Sequence, residues 1–198
     1  MKIFTISFDD GHPHDAVAAG IMLLYGIRGT FYPNAYRLQE CHKKIHKKLE
    51  VGSHGTTHDN ATELKDERIK EFVSKKPFEA FLEDGIRMFS YPWGFHNEAT
   101  LSALKEEGYL GARLTKVDPS FSHPMDFFKM EISMTTGKIP GFEDFRANFD
   151  GFLKKDHGVF HLLTHCAGTG DFSDFERICQ HVRKSKIESL TNSEIIGI

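Results

Sequence analysis

Ile3-Phe4-Thr5-Ile6-Ser7-Phe8-Asp9-Asp10-Gly11 opens the chain as a run of β-branched and aromatic side chains that stops at two adjacent carboxylates and a glycine. A short apolar run of this kind, bounded by a turn residue, reads as a buried strand. An apolar stretch of helical period follows through Ala16, Val17, Ala19, Ile21, Met22 and Leu24, and the phrase then repeats. Thr30 to Tyr32 is β-prone, residues 38–49 are basic and helical, and residues 50–53 are β-prone again. Residues 62–76 predict a charged amphipathic helix ending before Pro77, since a proline disfavours helix at the residue before it. Strands are expected at 87–91, 109–114, 128–133, 159–164 and 187–190, and helices at 98–107, 142–155 and 174–184, with an irregular loop over 116–124. Alternation of strand and helix implies a parallel sheet covered by helices. About eight such units in 198 residues predict an α/β fold, a distorted, partly open (β/α) barrel with about seven or eight parallel strands. Residues 1–198 form a single domain, with functional groups gathering at the strand C-termini.

The charge sum of 25 Lys+Arg against 28 Asp+Glu is −3, so no strong overall field favours nucleic acid or an anionic membrane, and a small or neutral ligand suits the chain better. The three cysteines (Cys41, Cys166, Cys179) are widely spaced, which excludes a disulfide framework and a Cys-x-x-Cys zinc knuckle. Met1-Lys2 leads straight into the first strand, so a cytoplasmic location is expected, or export if a leader was trimmed.

Ionisable groups recur at successive strand ends. Asp9 and Asp10 repel one another unless a cation or hydrogen-bond donors hold both ionised; an alternative use for Asp10 is to cap the following helix. Gly52-Ser53-His54-Gly55-Thr56-Thr57-His58 carries two imidazoles four residues apart. One helical turn puts such a pair on one face, where two neutral nitrogens reach a zinc-like ion at about 2.0–2.1 Å; two hydrogen-bonded histidines are the alternative. Residues 159–164 end at His165, placed for acid chemistry, while His161 packs or bonds inside the sheet and Cys166 is a packing residue. Tyr91-Pro92-Trp93-Gly94 reads as a rigid turn lining a groove and holds the single Trp of the chain.

In this order, S-F-D-D-G, S-H-G-T-T-H, Y-P-W-G and L-L-T-H resemble the polysaccharide deacetylase family, metal-dependent carbohydrate esterases on a partly open (β/α) barrel, over residues 3–190. The resemblance implies one divalent metal ion on Asp10, His54 and His58, with zinc favoured and cobalt or nickel suited to similar ligands. It makes Asp9 the general base, His165 the general acid, and Tyr91, Pro92 and Trp93 the substrate and oxyanion wall, with the Trp93 N–H facing the oxyanion. The implied substrate is an N-acetylated sugar or glycan. The family's third motif begins with an arginine that orients the catalytic Asp, whereas this chain has Ser90; Arg87 and Arg113 are the candidates to replace it. The fourth motif, an Asp and a Trp, has no match around Asp118-Pro119, and Asp171 is a candidate to support His165.

Two further readings compete with this one. The same barrel and base suit hydrolysis of another non-peptide amide, including without metal. Loss of the arginine and of the fourth motif also suits a non-catalytic module that binds metal or glycan.

Overall fold

The computed structural model describes residues 1–197 apart from 66 and 84. In chain order the elements are β1 (Lys2–Asp10), α1 (Asp15–Tyr25), β2 (Thr30–Pro33), α2 (Glu40–His46), β3 (Glu50–Val51), α3 (Glu67–Val73), α4 (Lys76–Leu82), β4 (Met88–Ser90) and α5 (Glu98–Glu106). There follow β5 (Gly111–Val117), β6 (Met130–Ile132), β7 (Met134–Thr135), α6 (Phe142–Leu153), β8 (Gly158–Thr164), α7 (Ser173–Ser185), β9 (Glu188–Ser189) and α8 (Asn192–Ile196).

The strands form two parallel sheets, one ordered β3-β2-β1-β8-β7 with β9 also pairing β1, the other β4-β5-β6. They meet at two seams. A parallel bridge joins Ser53 to Phe89, and the kinked run from β6 into β7 passes from β5 to β8, where Ser133 N–H donates to His161 O at 2.9 Å. The result is the expected distorted (β/α) barrel.

Residues 3–9 of β1 are all buried, because the strand is covered on both faces. Even positions Phe4, Ile6 and Phe8 belong to the large core beneath the helices, where Phe4 meets Phe149 edge-on at 5.7 Å and Phe8 stacks on Phe31 at 4.7 Å. The odd position Ile3 packs with Tyr32, Met88, Met130 and Val159 in a smaller cluster that α8 joins through Ile195. Asn192 fastens α8 there, taking the Thr5 hydroxyl at 3.0 Å and donating to the Tyr32 hydroxyl at 2.8 Å. Period-two alternation therefore sends Asp9 to the same face as Thr5 and Ser7.

The helix expected over 62–76 was misplaced, and β5 runs on to Val117 into the expected loop. Instead of a helix over 62–76 stopped by Pro77, α3 ends at Val73 and Pro77 lies in the first turn of α4. Proline is tolerated there because the first N–H groups of a helix have no internal partner.

Candidate active site

At the C-terminal end of β1, Asp10 (φ 75°) and Gly11 (φ 70°) both adopt left-handed backbone. That conformation is costly for a non-glycine residue and occurs mostly where function or packing over-determines it. A Cβ on Gly11 would overlap Pro33 at the end of β2, so the turn also requires glycine for space.

His54 and His58 lie in the loop after β3 and not on a helix, a correction to the helical-turn expectation. Gly55 (φ 80°) reverses the chain between them, and its N–H donates to Ser53 Oγ at 3.0 Å. The reversal achieves what a helical turn would have: the imidazoles stand 4.9 Å apart. Asp10 Oδ1 lies 3.6 Å from His54 Nε2 and 3.3 Å from His58 Nε2, and one donor atom from each of the three residues falls within 4.8 Å of the others. His54 Nδ1 lies 2.9 Å from Ser90 O, an acceptor only, so it carries the proton and leaves the Nε2 lone pair facing the carboxylate. His54 is buried, whereas Asp10 and His58 are each nearly a third exposed, so the donors are reachable from one side. A carboxylate with two neutral imidazole nitrogens is a donor set that fits a divalent cation. The hydrogen bond to His58, opposed by burial and aided by His54 and His165, takes the Asp10 pKa down to about 2.

Asp9 is buried, and the guanidinium of Arg113 pairs with it directly. Arg113 is fully buried on β5; its Nη2 also donates to Ser90 Oγ at 2.6 Å, and its Nη1 to Leu114 O at 3.2 Å. Ser90 Oγ is 3.3 Å from each Asp9 oxygen. Of the two arginines considered, Arg113 is therefore the one that partners Asp9. Burial is the largest single influence on Asp9 and would raise its pKa, but Arg113 foremost, with His54 and His165, together outweigh it and hold the carboxyl below its ordinary value. Ser90 and Arg113 are register partners across β4 and β5, so an arginine on either strand starts from neighbouring backbone.

His165 follows β8, and its Nδ1 lies 3.2 Å from Thr136 O. That carbonyl sets the ring, and Asp171 does not: its carboxylate accepts from Ser173 N–H at 2.8 Å and Ser173 Oγ at 3.0 Å at the start of α7. The charge of His165 is near enough to lower both Asp9 and Asp10. His161 bonds Ser7 Oγ at 2.9 Å inside the barrel, as expected, and Cys166 is buried in the core.

Only part of the Tyr91-Pro92-Trp93 turn faces outward. Tyr91 is fully buried, its hydroxyl donating to Phe128 O at 3.2 Å, and Pro92 is buried too. Trp93 is 63% exposed and meets His58 edge-on at 4.8 Å. Its φ of 60° is again left-handed, and Thr115 Oγ1 fastens its carbonyl at 3.1 Å.

The sequence matches the family model described as polysaccharide deacetylase over residues 1–112, more than half of the chain. Comparison with curated proteins finds no match. Among solved structures, a family 4 carbohydrate esterase from Bacillus anthracis is 15% identical with a TM-score of 0.70, covering 99% of this chain and 82% of that one. A mutant of the peptidoglycan deacetylase PdaC from Bacillus subtilis is 17% identical with a TM-score of 0.67, covering 98% and 89%. A CE4 family pseudoenzyme from Bacillus anthracis is 14% identical with a TM-score of 0.67, covering 99% and 65%. At these identities the structural likeness speaks to the fold.

Proposed function

This chain belongs to the polysaccharide deacetylase family, and from that premise we propose that it is a metal-dependent hydrolase removing N-acetyl or O-acetyl groups from a sugar or glycan. The observation that carries the proposal is the convergence of Asp10, His54 and His58 beside a buried, arginine-paired Asp9. Asp10, His54 and His58 hold one divalent ion, zinc by ligand type with cobalt or nickel also suited, which when bound supplies Lewis acidity at the acetyl carbonyl and at water.

The protein's own groups divide the proton transfers. Asp9, ionised and fixed by Arg113 and Ser90, takes the proton of the attacking water. Protonated His165, steered by Thr136 O, returns a proton to the leaving nitrogen or oxygen. The backbone N–H of Trp93 serves the developing oxyanion, and the exposed Trp93 ring gives a sugar face something to stack on. Acetate and the deacetylated sugar leave with no covalent enzyme intermediate.

Metal content after purification and acetate release from N-acetylglucosamine oligomers test this together. Asp9→Asn should keep the metal and lose acetate release. Full turnover in that variant would refute Asp9 as the base, and full acetate release by metal-free protein would refute the metal dependence.

A further inference from the structure

The net charge of −3 conceals a local concentration of positive charge at the end of the barrel opposite the site. Helices in this fold run back against the strands, so the C-terminal ends of α1, α2 and α7 share the face that lies away from Asp9 and His165. A groove of about 370 Å³ runs between α1 and the α2 region, with Ala16, Ala19, Gly20 and Leu23 on one wall and Lys44, Lys47 and Lys48 on the other. On the far side of α1, its C-cap Gly26 lies beside Arg183, and a cavity of about 500 Å³ there is lined by Arg183 and Lys186, with Glu188 the one acidic residue on its wall. Lys184 stands next to them in the last turn of α7. All six cations are exposed, and among the described residues none has an acidic partner within ion-pair distance.

Helix dipoles account for cations at helix ends. They do not account for what lies between them. The outward face of α1 carries Val17 (45% exposed), Leu23 (39%) and Leu24 (73%), and the one charged residue of that helix, Asp15, is buried. A helix apolar on its solvent side as well as its core side belongs against something other than water. Apolar side chains at the centre with unpaired lysines and an arginine on both flanks match the boundary of an anionic bilayer. There leucines enter the acyl region and long cationic side chains reach the head groups.

We infer that this face, centred on Leu23 and Leu24 and flanked by Lys44, Lys47, Lys48, Arg183, Lys184 and Lys186, docks the protein on an anionic lipid bilayer. The site at the strand C-termini then points away from the membrane. The inference stands apart from the proposed chemistry, since none of these residues touches the site.

The test is co-sedimentation of the whole protein with phosphatidylcholine vesicles holding about a third phosphatidylglycerol, against phosphatidylcholine alone. Binding is expected on the anionic vesicles only, and it should be lost at about 0.5 M salt, where charges are screened within a few ångströms. The triple variant K44Q/K47Q/K48Q should bind about 100-fold more weakly, and Leu24→Ser about tenfold more weakly. Both variants change exposed side chains, and both should release acetate as the parent does. No binding to anionic vesicles, equal binding to neutral ones, or full binding by the triple variant would overturn the inference. So would salt-reversible pairing of two copies that Leu24→Ser abolishes without any vesicle binding.

Discussion

Replacing Arg113 by Met keeps much of the volume of the side chain and removes the guanidinium that pairs with Asp9. What remains around the 3% exposed carboxylate is the Ser90 hydroxyl at 3.3 Å and the His54 imidazole at 3.8 Å, whose pKa burial lowers so that it stays neutral. Stranding a buried charge in this way costs about 3–5 kcal/mol, against a total stability of about 5–15 kcal/mol for a domain. Urea unfolding near pH 7 in chelator, run on wild type, R113M, D9N and R113M/D9N, measures it. Each single variant should lose about 3 kcal/mol or more, and the double variant less than the worse single, because no charge is then left unpaired. The pH dependence should also reverse. In the wild type the Asp9 pKa lies below its unfolded value, so its stabilisation is present above that value and lost as pH falls through the folded pKa. In R113M burial dominates and raises the pKa, so the Asp9 contribution worsens as pH rises. A cost under about 1 kcal/mol for R113M, or a double variant no better than the worse single, would refute the reasoning.

Four further outcomes are expected. His161, with its pKa taken down to about 3 by burial first and by Arg113 second, stays neutral in the folded protein while the unfolded chain protonates below about 6.5. Stability should therefore fall on acidification below that pH by up to about 1.4 kcal/mol per unit, and His161→Leu should flatten the slope in urea midpoints at neutral and acid pH. Gly55→Ala imposes a Cβ on left-handed backbone where it would overlap the Phe72 ring; calorimetric zinc titration should show weaker binding while circular dichroism stays unchanged. His165→Asn should lower kcat by about 10²–10⁴ at unchanged metal content. Chelation should abolish acetate release, and a divalent ion added back should restore it.

The strand ends were legible because each carries its chemistry in consecutive residues. Asp9-Asp10-Gly11 and His165 lie where the first and eighth strands run out, as the hydrophobic runs before them imply. The conformation bringing His54 to His58 was not, since four-residue spacing suits a helical turn and the left-handed Gly55 loop alike. Arg113 was readable only as a candidate. Its place beside Asp9 depends on the register that sets it opposite Ser90, a relation between strands more than 20 positions apart in the chain. Asp171 misled because closeness in sequence to His165 counts for less than the free N–H groups that open α7. The net charge likewise averaged away the cationic edge around α1, which appears only when three helix ends are brought to one face.

The most direct measurement is anomalous diffraction at the zinc edge from crystals grown with zinc. One peak within ligand distance, about 2.0–2.2 Å, of an Asp10 oxygen and of Nε2 of both His54 and His58 is the predicted result. A peak held by other residues, or a crystal grown in excess zinc with no peak between these three, would contradict the account.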